Sequence, residues 1–299
     1  STIGLGCNNF GMRIDQAATN AVIDAAIEHG VTFFDTADVY GGRGKSEEMM
    51  GVALKGKRDK VVLATKFASP MGDGPDKRGG SRRYIMEAVE ASLKRLQTDW
   101  IDLYQMHQPD RDTPIDETLS ALDDLVTQGK VRYVGNSNFT GWMIADADWT
   151  AKSEHLTRFV SAQNNYSLLE RRVEHEVTPA CEQFGLGMLP YFPLASGMLT
   201  GKYKRGEAPA EGTRMAAWGA RAQAALSDKN FDKVEALESW AAERGHTLLD
   251  LAFAWLLGHP VVSSVIAGAT RPEQVEANAA TAAWKLTPQE VEEVTKLAA

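Results

Sequence analysis

The stretch KVVLATKFASPMGDGPDKRGGSRRYIMEAVEASLKRLQTDWIDLYQM, residues 60–106, spells out one complete strand–helix–strand unit. It opens on an apolar run at 60–65 and crosses a turn-rich loop rich in Gly, Asp and Pro. Ser81 then stands where a helix cap belongs, and Ile85, Ala88, Val89, Leu93 and Leu96 share one face at helical spacing. The chain returns in a second run at 100–106. Both runs are nearly continuously apolar instead of alternating, as parallel strands covered on both faces require.

The same beat recurs outward in both directions. Apolar runs at 2–5, 31–34, 131–135, 158–162, 186–190 and 263–267 bring the total to eight, with amphipathic segments between them. Gly30 and Gly129 sit where helices should stop, and Thr113-Pro114-Ile115-Asp116 reads as a helix start with a threonine cap. Thr287-Pro288-Gln289-Glu290 has the capping-box pattern. Eight such units in 299 residues predict an α/β fold, a (β/α)8 TIM barrel forming a single domain over residues 1–299. A doubly wound sheet needs fewer strands, and no Gly-x-Gly-x-x-Gly follows the first strand. The beat breaks once, between Tyr191 and Ser263. A polar, Gly-rich loop at 201–227 and additional helices at 228–244 and 247–259 fill that gap, and a loop of this length is usually a lid or a binding strap.

Composition excludes several classes. The net charge of −8 gives no basic footprint for nucleic acid or an anionic membrane. Two cysteines, Cys7 and Cys181, cannot build a disulfide framework and fit a reducing compartment. No apolar run approaches the roughly 18 residues of a membrane span, and the first residues lack the layout of a signal peptide. A cytoplasmic location is the expectation. The six histidines, His29, His107, His155, His175, His246 and His259, show no ligand spacing, so no metal is expected.

In barrels of this kind the chemistry gathers at the C-terminal ends of the strands. Here those ends carry Asp35, Asp38 and Tyr40 after strand two, Lys66 after strand three, His107 after strand four, Ser137 and Asn138 after strand five, Gln163 after strand six and Tyr191 after strand seven. Any one of them alone reads as a cap, a turn residue or a satisfied core group. Asp, Tyr, Lys and His on neighbouring exits form a coherent set. An ammonium beside a tyrosine favours the phenolate and should lower its pKa, a carboxylate behind it keeps the ammonium charged, and a histidine can orient a carbonyl oxygen. Such a set suits protonation of an oxygen on which negative charge develops, as in carbonyl reduction. Phe67, Trp142, Phe192 and Trp218 are candidates for an aromatic substrate wall, and each is as readily explained by ordinary packing.

These residues also resemble a known family. Phe33-Phe34-Asp35-Thr36-Ala37-Asp38-Val39-Tyr40-Gly41, followed by Lys45-Ser46-Glu47-Glu48 and Gly51, is similar to the first signature of the aldo-keto reductases. Further matches run the length of the chain. They include Thr65-Lys66, the segment from Asp102 to His107, Gly135-Asn136-Ser137-Asn138-Phe139, Gln163, Leu199-Thr200-Gly201-Lys202-Tyr203, and Pro272-Glu273-Gln274 before Asn278. The style resembles the bacterial and potassium-channel β-subunit-like branch.

The resemblance implies an NADPH-dependent reductase without metal, acting on a small carbonyl or, in reverse, an alcohol. It implies Tyr40 as proton donor, Lys66 and Asp35 as its tuning pair, and His107 as the group that positions the carbonyl. Ser137, Asn138 and Gln163 are expected on the nicotinamide carboxamide, with the Tyr191 ring stacked on the nicotinamide. Cys7 and Asn8 match cofactor contacts after strand one. Phe192, Pro193, Leu194, Ala195, Ser196, Lys202 and Arg214 match the strap over the pyrophosphate, and Gly268, Thr270, Gln274 and Asn278 match the adenosine-phosphate region. A basic residue frequent at the Ala269–Thr270 position is absent, and a common acid before Asn278 is Ala277. Arg271 is then the candidate partner for a 2′-phosphate, favouring NADPH over NADH, or else a solvated residue at a helix start. The competing reading, also implied by the resemblance, is a nucleotide-sensing regulatory protein with little turnover. The presence of His107 favours catalysis.

Overall fold

The computed structural model of the chain describes residues 1–211, 213, 215–216 and 222–299. Eight parallel strands, β1 (Ile3–Gly6), β2 (Phe33–Asp35), β3 (Val62–Phe67), β4 (Ile101–Met106), β5 (Val131–Ser137), β6 (Ser161–Gln163), β7 (Gly187–Met188) and β8 (Val265–Gly268), follow the order β7-β6-β5-β4-β3-β2-β1-β8. The two ends of this row meet. Met188 N donates to Val261 O at 2.7 Å, Ser263 N to Met188 O at 2.9 Å, and Ile266 N to Pro190 O at 3.0 Å. The sheet is thereby a closed barrel, although the β7–β8 seam consists of isolated bridges instead of a continuous ladder. No helix among the described residues is long and apolar enough to cross a membrane.

Around the strands lie α1 (Gln16–Glu28), α2 (Lys45–Ala53), α3 (Arg82–Leu96), α4 (Ile115–Thr127), α5 (Gly141–Ser153), α6 (Val177–Phe184), α7 (Asp228–Ala242), α8 (Leu248–Leu257), α9 (Pro272–Ala280) and α10 (Pro288–Leu297). Outward-facing strand residues such as Phe34 and Leu63 pack with Val22, Ile23, Ile85, Val89 and Leu122 of the helices in one large apolar core. Inside the barrel a second, smaller cluster of Phe33, Ala64, Leu103, Leu189 and Ile266 forms a plug beneath the polar strand ends. Glycine keeps this interior from overfilling: a Cβ at Gly4 would lie 2.8 Å from the Phe33 ring, and one at Gly135 would lie 2.3 Å from Ser161 Oγ.

All eight expected strands are present, with shifted ends that have local causes. The second starts at Phe33 instead of 31 because the Val31 amide closes the preceding helix turn onto Ala26 O at 2.8 Å. The third starts at Val62 because 58–60 form a short 3₁₀ turn. Ser81 caps α3 and the Thr287–Glu290 capping box forms as expected. The expected threonine cap on α4 does not form. Pro114 occupies the cap position, and the Thr113 hydroxyl donates to Asp110 Oδ2 at 2.8 Å instead.

Candidate active site

The pleat sends Asp35, Lys66, Gln105 and Gln163 inward from β2, β3, β4 and β6, directly above the apolar plug. Lys66, fully buried, donates to Asp35 Oδ2 at 2.6 Å and to Thr36 O at 2.8 Å. The other carboxylate oxygen accepts from Gln163 Nε2 at 2.9 Å and Gln105 Nε2 at 3.1 Å. An isolated buried charge would be prohibitive, and this pair is tolerated because the ammonium and both carboxylate oxygens have hydrogen-bond partners. Burial alone would depress the Lys66 ammonium, but Asp35 and Tyr40 together more than offset it, and the amine is held above its ordinary value.

Tyr40 stands in the turn after β2, with the Lys66 ammonium 5.0 Å from its ring centroid and the His107 ring edge-on at 5.6 Å. The turn is held tightly: a Cβ at Gly41, whose φ is +70°, would come within 2.7 Å of Phe10 O. The expected lowering of the tyrosine pKa is not what the surroundings produce. Burial raises it and outweighs the opposing pull of Lys66, so the hydroxyl is held protonated at neutral pH. His107 is driven the other way, to about 3, by burial and then by Lys66, which leaves a neutral imidazole.

Behind the site, the Lys45–Glu48 segment has a structural part to play. Ser46 Oγ donates to Cys7 O at 2.8 Å and lies 2.8 Å from Thr36 Oγ1, tying α2 to the ends of β1 and β2. Glu47, fully buried, takes Thr65 Oγ1 at 2.6 Å and Arg95 Nε at 2.7 Å.

Three strand exits, after β5, β6 and β7, build a platform beside the tetrad. Asn138, in the left-handed region at φ +61°, donates to His107 O at 2.9 Å and to Ser137 Oγ at 3.1 Å, and accepts from Tyr191 OH at 2.8 Å. Ser137 Oγ donates to Gln163 O at 2.8 Å. Since Gln163 Nε2 faces Asp35, its Oε1 is the end left for a ligand amide. A cavity of about 840 Å³ opens above. Its wall contains Cys7, Asn8, Asp35, Tyr40, His107, Ser137, Asn138, Gln163, Tyr191, Phe192, Pro193, Leu194, Ser196, Lys202, Gly268, Thr270, Arg271, Gln274 and Asn278. Lys66 reaches this space only through Asp35 and Tyr40. Ala195 lies on the strap but not in the wall, and Arg214 falls outside the described residues.

At the far end, Gln274 Oε1 accepts from Thr270 N at 2.8 Å and Thr270 Oγ1 at 3.1 Å, and Arg271 caps α9 with Pro272 in its first turn. Arg271 is exposed and lies 3.6 Å from Glu273. A Cβ at Gly268 would crowd Asn9 Nδ2 at 3.1 Å and Asn8 Oδ1 at 3.3 Å, so the wall there is lined by backbone and amides. An amide platform with a tyrosine ring, leading to two cations and a helix N-terminus, is a donor set that fits a dinucleotide.

The aromatic wall considered from sequence does not form among the described residues. Phe67 is buried in the core 4.8 Å from the Tyr104 ring, Trp142 is exposed and not in the cavity wall, and of the three described candidates Phe192 alone lines the cavity; Trp218 lies outside the described residues. The reading from sequence missed Asn9, Arg13, Gln108, Thr200 and Leu249 in the wall, and Gln105 and Ser69 behind it. Gln108 was findable as the neighbour of His107; Arg13 and Leu249 carry no sequence signal of their own. No cluster of three or more metal-binding side chains occurs among the described residues.

Known proteins are similar to this chain in sequence over most of its length. The chain is 41% identical over 285 residues to the uncharacterized oxidoreductase YrpG of Bacillus subtilis, covering 92% of this chain and 85% of that one. It is 38% identical over 285 residues to a probable voltage-gated potassium channel subunit beta of Arabidopsis thaliana, covering 93% and 86%. L-glyceraldehyde 3-phosphate reductase of Escherichia coli is 33% identical over 286 residues, covering 91% and 80%. The model of the aldo/keto reductase family matches residues 2–299, nearly the whole barrel with its polar strand ends, and the chain belongs to that family.

Proposed function

We propose that this protein reduces aldehyde or ketone carbonyls to alcohols with NADPH, reversibly, with Tyr40 as the proton donor. The observation that carries this reading is the placing of the Tyr40 side chain between the buried Lys66 ammonium and neutral His107 at one edge of the cavity. When bound, the reduced nicotinamide supplies the hydride to the carbonyl carbon. Tyr40 gives its proton to the carbonyl oxygen, and the phenolate left behind is stabilised by Lys66, whose charge Asp35 and Tyr40 sustain. Burial keeps Tyr40 protonated until then, and the ammonium lowers the cost of losing the proton at the moment of transfer. His107, uncharged, offers an N–H to the same oxygen without competing as an acid.

Ser137, Asn138 and Gln163 are the groups suited to an amide, Tyr191 to stacking, and Thr270, Arg271 and Lys202 to phosphates at the α9 N-terminus. Arg271 would favour NADPH over NADH. Gln108, next to His107, and Arg13 add polar character to the wall, which favours short hydroxylated or charged carbonyls over aromatic ones. The channel-subunit relative keeps a second reading alive, a nucleotide-sensing protein with little turnover and an unidentified protein partner.

Consumption of NADPH and NADH against a panel of small polar, aliphatic and aromatic carbonyls tests both. Tyr40→Phe should lower kcat by about a hundred-fold or more while nucleotide affinity stays within about two-fold. Turnover unaffected by that substitution would overturn the mechanism. Tight nucleotide binding with no turnover on any carbonyl would favour the sensor.

A further inference from the structure

We propose that Ser69 is a positioning residue that decides which nitrogen of His107 carries the proton. The inference rests on the reading of His107 as the donor to the carbonyl oxygen. Ser69 follows β3 in the sequence Lys66-Phe67-Ala68-Ser69, and the chain turns there through Ala68 at φ +83°. The turn is held from outside by Gly79 N donating to Ala68 O at 3.0 Å and by Tyr84 OH donating to Ser69 O at 3.3 Å. The result is a buried serine whose Oγ lies 3.1 Å from His107 Nδ1.

The imidazole is fixed on its other sides. Its backbone N donates to Phe67 O at 2.9 Å, its carbonyl accepts from Asn138 Nδ2 at 2.9 Å, and its ring packs edge-on against Tyr40. A neutral imidazole has one N–H to place on two nitrogens. Were it on Nδ1, it would be given to Ser69 Oγ, and the hydroxyl proton would be left without an acceptor, because Ser69 Oγ has no other hydrogen-bond partner among the described residues. With the hydroxyl donating to Nδ1, both groups are satisfied and the imidazole proton sits on Nε2. Nε2 is the nitrogen not engaged by Ser69, on a ring that lines the cavity. Ser69 thus turns His107 into a hydrogen-bond donor at the place where a carbonyl oxygen is to be held, without touching substrate itself.

The tautomer can be read directly by ¹⁵N–¹H correlation of histidine-labelled protein at neutral pH, with the His107 signals identified by their loss in His107→Gln. The wild type should show the proton on Nε2. Ser69→Ala should shift those signals towards the other tautomer or a mixture, and Ser69→Thr, which keeps the hydroxyl, should restore them. In turnover, Ser69→Ala should lose roughly ten-fold in kcat/KM with nucleotide affinity unchanged, and Ser69→Thr should recover most of it. A wild-type proton on Nδ1 overturns the proposal, as does a Ser69→Ala protein with unchanged signals and unchanged kinetics. If the alanine variant does not fold, the wild-type Nδ1 ¹⁵N shift still reads the Ser69 contact: a value displaced by an accepted hydrogen bond supports the proposal, and that of an unbonded ring nitrogen overturns it. Absence of carbonyl turnover in the wild type would remove the reductase reading while leaving the tautomer measurement to judge Ser69 on its own.

Discussion

Asp38 lies two residues before Tyr40 and shows how closely a residue's surroundings set its charge. It is buried, one carboxyl oxygen has no side-chain partner among the described residues, and the weak support the carboxyl has comes from a long 3.4 Å contact from Tyr84 OH and from the Val39 backbone N–H. Burial, reinforced by Glu47, pushes its pKa from the ordinary 3.8 to about 8. A carboxyl raised in this way contributes its stability in full below pH 3.8 and loses it as the pH climbs towards 8, because the unfolded chain ionises first. Asp38→Asn should therefore gain stability over the wild type as pH rises from 4 to 8, with the two converging at the acid end. Urea unfolding at several pH values checks this, and parallel curves would show that Asp38 is charged in the folded protein. The tetrad was legible because four reactive residue types fall on successive strand exits. Asp38 carried the same motif, yet its unsatisfied burial depends on Tyr84, Glu47 and Arg95, which are scattered over the sequence. The same holds for the Tyr40 pKa, where the sign depends on how deeply the ring is buried, a quantity no spacing encodes.

Strands and helices were legible from apolar runs and caps, because burial on both faces of a parallel strand leaves an unmistakable composition. Their ends were not, since each depends on a competing local bond, as at Val31 and Thr113. Inward or outward direction matters more for function, and it too escapes composition. Phe67 and Lys66 are neighbours, yet one joins the core and the other the site. Gln105 reads as one polar residue in an apolar run until the register places it on Asp35. Within β5 the pleat produces a weakness as well. Asn136 points away from the barrel interior into the helix layer, fully buried, with neither end of its amide partnered among the described residues. Replacing it with an apolar residue of similar shape removes that desolvation cost. Asn136→Leu is expected to raise stability by about 1 kcal/mol, visible as a Tm several degrees higher. A lower Tm would mean that the site is too tight for the added methyls.

At the scale of the whole molecule the barrel is uneven around its circumference. β3, β4 and β5 share long ladders, whereas β7 has two residues and meets β8 through single bridges. The cavity wall straddles that seam, with Tyr191, Pro193 and Leu194 on one side and Gly268, Thr270 and Gln274 on the other. A nucleotide lying there would cross-link the two edges. Amides of Met188, Ser263 and Ile266 should exchange with deuterium faster than those of β3 and β4, and saturating NADPH should slow the first group far more than the second. Uniform protection around the ring would refute this. The cylinder resembles a bracelet whose clasp is its least secure link. Where the occupant doubles as the clasp, holding a ligand and finishing the fold become one equilibrium, and the hoop is wound tightest only while it is in use.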